Sequence, residues 1–79
     1  MPALLVERLD DGVIVLTLNH PAQQNAMNHE LAVSIASAFR DISADATARC
    51  VVLRGSGKHF CSGADLAEAA NGDWYSQTR

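Results

Sequence analysis

Val13-Ile14-Val15-Leu16-Thr17-Leu18 (VIVLTL) is the stretch on which the fold turns. It is a dense run of β-branched and aliphatic residues, short enough for a strand and too short for a helix of ordinary length. Both alternating sides are apolar up to Thr17, so a strand buried on two faces is expected. Upstream lies Leu4–Leu9, partly apolar, and between the two runs sits Asp10-Asp11-Gly12. An Asp-Gly pair between two such runs predicts a hairpin.

Downstream, residues 19–28 (NHPAQQNAMN) hold one proline, three asparagines and two glutamines in ten positions, which is loop composition. His20 precedes Pro21 and is pushed toward extended backbone. From Asn28 the period changes. Leu31, Ile35, Ala38, Phe39 and Ile42 recur at spacings of three and four, so they form one apolar stripe of a helix. Asn28 is placed to cap that helix, Glu30 suits its positive end, and the helix should fade between Ser43 and Ala48. Cys50–Leu53 (CVVL) predicts a second buried strand, closed by Gly55-Ser56-Gly57. Residues 58–63 read as a loop and Asp65–Ala70 as a short helix, broken by Asn71-Gly72-Asp73. Residues 71–79 carry no period; Trp74 and Tyr75 are open between a packing patch and a disordered tail. The order β-β-α-β-loop-α, with a helix between strands, predicts an α/β unit containing a crossover.

Bulk composition narrows the function classes. With 79 residues, one domain is the ceiling, and stability at this size is marginal. Apolar residues make up 48% and charged residues 19%, which excludes a disordered chain. Six basic and nine acidic residues give a net charge of −3, with the basic ones scattered, so no nucleic-acid footprint is present. No run reaches the length of a membrane span. The start, MPALLVERLDDG, lacks the basic and apolar segments of a secretory signal, so the expected location is cytoplasmic. Cys50 and Cys61 are then reduced thiols, too few for a disulfide framework and without zinc-ligand spacing. His20, His29 and His59 share no ligand spacing either, and Cys61 has no evident base to make it a nucleophile.

Two segments could carry chemistry. Phe60-Cys61-Ser62-Gly63-Ala64-Asp65-Leu66 (FCSGADL) links a strand to a helix start. Its small residues let a ligand reach the backbone, and amides at a helix start lack intrahelical partners and can stabilise an oxyanion. Alone, it reads better as a strand-to-helix turn with Asp65 as N-cap, since no nucleophile-plus-base pair is visible. NHPAQQNAMN alone reads as turn and capping chemistry.

Taken together, in this order and with a helix and the CVVLRGSG strand between them, the two segments resemble the crotonase, or enoyl-CoA hydratase/isomerase, family. The likeness spans about Val6 to Leu66. The family pattern N-x-P-x-x-x-N-A-[LM]-[NST] is matched by NHPAQQNAMN, and F-[CS]-[AS]-G-x-D-[LI] by FCSGADL. The resemblance implies the N-terminal part of a ββα spiral, residues 1–79 being an incomplete segment of that domain. It implies an acyl-CoA thioester as substrate, in fatty-acid metabolism, its carbonyl held by two backbone N–H groups that stabilise an enolate. Ser62 matches the first donor, through its amide. Gly63, Ala64 and Asp65 would line the pocket wall, with Leu66 packing beneath, and Gln24 and Ala26 would border the CoA moiety. No cofactor is implied beyond the CoA of the substrate, and family members are usually trimers or hexamers. Ala22-Gln23-Gln24 departs from the family in offering no cation for CoA phosphates. The second donor and the acid/base carboxylates follow later in the family, and Asp65, Glu68 and Asp73 do not occupy those positions. Half a site is therefore expected here, inactive alone; the alternative is a non-catalytic module for binding or self-association.

Overall fold

A computed structural model describes residues 2–64. The hairpin forms as expected: β1 (Leu4–Arg8) and β2 (Val13–Leu18) are antiparallel, from Leu4 opposite Leu18 to Arg8 opposite Ile14. The turn is a short 3-10 element, Asp10–Gly12, with Asp11 and Gly12 at φ 68° and 78°. The Leu9 N–H closes it on the Val13 carbonyl at 2.8 Å.

The chain then passes through a second 3-10 turn, Pro21–Gln23, into helix α1 (His29–Ser43). Asn28 caps the helix, its side-chain oxygen accepting the Leu31 N–H at 2.8 Å. Strand β3 (Cys50–Gly55) returns parallel to β2, from Val13 opposite Cys50 to Leu18 opposite Gly55. The sheet order is β1-β2-β3, and α1 is the crossover that parallel pairing requires. The predicted helix at Asp65–Ala70 and the predicted tail at 71–79 lie outside the described residues.

Leu4, Ile14, Leu16 and Leu18 from the sheet bury against Leu31 of α1. Burying each such side chain contributes roughly 1.5–3 kcal/mol before entropy is counted. Ile35, Ala38 and Ile42 pack against this cluster from the helix, Ala48 and Val51 from the return segment.

Three expectations are corrected. Phe39, expected in the apolar stripe, is 40% exposed while Ala38 packs on the core; adjacent helix positions point about 100° apart, so both cannot face the sheet. Strand β3 is not buried: Cys50, Val52, Leu53 and Arg54 are exposed, and among the described residues β3 is an edge of the sheet. Strand β2 is closed on one face only, with Ile14, Leu16 and Leu18 buried while Val13, Val15 and Thr17 are half-buried. The outer face carries Leu5 opposite Thr17, Val13 opposite Cys50 and Val15 opposite Val52, and no described element covers it.

At the far end of the sheet from the loops described below, the turn after α1 is latched by Asp45. Its carboxylate accepts the Thr47 hydroxyl at 2.6 Å and the Thr47 N–H at 2.9 Å, and pairs with Arg8 at 2.6 Å. These contacts, the Thr47 hydroxyl foremost, hold the Asp45 pKa below its ordinary value.

Candidate functional site

Parallel pairing puts the carboxyl ends of β2 and β3 side by side, so the loops that follow them must meet. In open α/β sheets this end is where ligands bind. Residues 19–28 leave β2 and residues 56–64 leave β3. The Ser56 N–H donates to the Leu18 carbonyl at 2.9 Å and starts the contact.

Asn25 joins the two loops. It is fully buried, and its backbone is left-handed at φ 55°, a conformation Asn tolerates better than most residues. Its carboxamide nitrogen donates to the Ser56 carbonyl at 2.9 Å and the His59 carbonyl at 2.8 Å. Its carboxamide oxygen accepts the His20 N–H at 2.8 Å. Gly55 permits the tight fold of the second loop: a Cβ there would stand 2.5 Å from the carbonyl oxygens of His59 and Phe60.

Two backbone bonds extend this tie. The Ser62 N–H donates to the Gln24 carbonyl at 3.0 Å, and the Met27 N–H donates to the Gly63 carbonyl at 2.6 Å. Met27 and Ala64 form a parallel β-bridge. Gly63 has φ 107°, a conformation that favours glycine.

The structure thus joins Gln24 to Ser62, and Met27 to Gly63 and Ala64, with Ala26 lying between Gln24 and Met27 in the first loop. Ser62, Gly63 and Ala64 are exposed, Gln24 is exposed and left-handed at φ 56°, and Ala26 is half-buried. Asp65 and Leu66 lie outside the described residues. The Ser62 amide, expected to face a ligand, is instead given to Gln24. Among the described residues, the amides of Gly63 and Ala64 have no acceptor. Cys61 is half-buried and packs against the core cluster. A separate open cleft of about 260 Å³ lies on the other side of His20, lined by Ala3, Asn19, His20, Asn28 and Glu30.

Asn25 was read from sequence only as part of a loop. Its signal was present, an Asn between turn-forming residues and a capped helix, but a sequence does not say which loop side chain is buried.

The family model described as enoyl-CoA hydratase/isomerase matches residues 8–79, and the chain belongs to that family. Over 66 residues it is 36% identical to 1,2-epoxyphenylacetyl-CoA isomerase of Escherichia coli, covering 84% of this chain and 25% of that protein. It is 45% identical over 56 residues to mevalonyl-coenzyme A hydratase SIDH of Beauveria bassiana, covering 71% and 20%. The crystal structure of an enoyl-CoA hydratase from Mycobacterium smegmatis superposes with a TM-score of 0.84 at 43% identity, covering 86% of this chain and 26% of that one. The chain therefore has the N-terminal portion of the crotonase fold, and it spans about a quarter of the length of the curated relatives it matches. No helix among the described residues is long and apolar enough to cross a membrane.

Proposed function

We propose that this chain supplies one wall of an acyl-CoA site in an enoyl-CoA hydratase/isomerase-type enzyme. The observation that carries the reading is the exposed Gly63-Ala64 turn, whose amides have no acceptor among the described residues while the flanking Ser62 amide and Gly63 carbonyl are tied down. A thioester carbonyl that becomes an enolate gathers negative charge on oxygen, and a fixed N–H directed at that oxygen stabilises it without reorganising. With Ser62 engaged by Gln24, the donor is the Ala64 amide, one residue past the glycine that sets its direction. Gln24 and Ala26 border the CoA moiety, and CoA enters as part of the substrate, with no separate cofactor.

Acyl-CoA chemistry of this kind needs a second donor and a proton-transfer group. Loss of one oxyanion donor costs about 10²–10³ in rate, and loss of general acid–base help typically another 10²–10⁴. These 79 residues alone bind an acyl-CoA weakly and turn none over. Titrating the ¹⁵N-labelled chain with crotonyl-CoA, with desulfo-CoA as control, tests this. Shifts of the Gly63 and Ala64 amides that require the thioester carry the reading; their absence, or hydration at the rate of an ordinary hydratase, sinks it.

A second reading is a self-association module. It is favoured by the uncovered outer face, where Leu5 and Val52 are 41% and 43% exposed. Size-exclusion chromatography separates the two: a CoA-blind oligomer favours the module.

A further inference from the structure

We propose that Asn25 is the positioning residue for the Ala64 amide, an inference that rests on the acyl-CoA reading above. A buried carboxamide is tolerated only when its hydrogen-bonding groups are satisfied. Both donor hydrogens of Asn25 are used, on the Ser56 and His59 carbonyls, and its oxygen is used by the His20 N–H. The side chain therefore fixes the second loop at two points and the first at one. On either side of it in sequence, Gln24 and Met27 make the backbone bonds to Ser62 and Gly63. Four hydrogen bonds from residues 24–27 thus reach residues 56–63, and Asn25 makes the two nearest to β3. A rotation of the Asn25 carboxamide shifts the His59 peptide, then the strand of chain that runs through Ser62 to Ala64. Asn25 is fully buried, so it acts through the peptide it aims.

No close relative of Asn replaces it. Asp keeps the acceptor for His20 but loses both donors, and Ser is too short to span the loops. Asn25→Asp therefore cuts the tie on one side only.

Hydrogen exchange and crotonyl-CoA titration of the whole 79-residue chain test this. In the unsubstituted chain, the Asn25 side-chain amide protons exchange at least about 100-fold slower than a free carboxamide. In Asn25→Asp, the Ser62 and Met27 amides lose at least about tenfold of their protection, the size expected of lost hydrogen bonds to a buried group. The β2 amides keep theirs, and the crotonyl-CoA concentration that half-shifts Ala64 rises at least about tenfold. Unchanged protection at Ser62 and Met27 overturns the proposal, as does an equal loss at β2, which would make Asn25 a general stabiliser. Should Asn25→Asp not fold, free-amide exchange of the Asn25 carboxamide in the unsubstituted chain overturns the proposal and slow exchange upholds it. An unsubstituted chain whose Ala64 amide ignores crotonyl-CoA overturns the acyl-CoA reading instead, and the exchange data still decide whether Asn25 ties the loops.

Discussion

The amide hydrogen of Ser62 ends on the carbonyl of Gln24, 3.0 Å away, so the residue that most resembles a ligand donor is a structural one. Its side chain is exposed and its N–H is not spare. Ser62→Ala should leave stability within about 0.5 kcal/mol, as exposed substitutions usually do. Ser62→Pro deletes the donor and should cost about 1 kcal/mol or more, the net worth of the bond plus the stranded carbonyl. Urea unfolding of the two variants checks the contrast.

Gly55→Ala places a methyl 2.5 Å from two backbone carbonyl oxygens. Backbone cannot swing aside as a side-chain end can, so the second loop must move. The expected loss is about 1–3 kcal/mol, the range for forced overpacking. Denaturant midpoints measure it, and an unperturbed midpoint would show that the loop is looser than described.

Leu16 is fully buried at the centre of the sheet. Leu16→Ala should cost about 2–5 kcal/mol, enough to unfold a chain of this size outright. Its neighbour Val15 is only half-buried on the outer face, so Val15→Ala should cost less. Circular dichroism under increasing urea ranks the two; equal losses would mean that the outer face is covered in solution.

Asn28→Ala removes the acceptor for the Leu31 N–H and should cost roughly 0.5–2 kcal/mol. The cap, the helix and the hairpin were all legible in the sequence because each is a local pattern: an Asn before a three-four stripe, an Asp-Gly pair between β-branched runs. The crossover followed from element order. The two-faced burial of β2 and the buried state of β3 were not legible correctly. Composition reports how apolar Val13, Val15 and Val52 are, and not whether another layer lies over them. The site was legible as two segments, but the engagement of the Ser62 N–H by Gln24 was not. Motif spacing places Ser62 to Ala64 in one turn, but which N–H is free depends on Gln24, 38 positions earlier in the chain.

Asp45 should give the latch a pH dependence. Its carboxyl is held below the ordinary value, by Thr47 first and Arg8 less. The stabilisation is present above the unfolded value, about 3.9, and fades as the pH falls through the lower native value. Asn at this position should lower the urea midpoint near pH ~7 and match the parent near pH ~2. A difference that persists in acid would mean that the charge of Asp45 is irrelevant.

The parallel pairing of β2 with β3 also sets an order in time. The hairpin and helix close over short stretches, but the Asn25 bonds to Ser56 and His59 join residues 31 and 34 positions apart. Contacts that distant must wait for the entropy of closing a long loop to be overcome. The two loops therefore acquire their shape after the hairpin and the helix, together with the docking of β3 on β2.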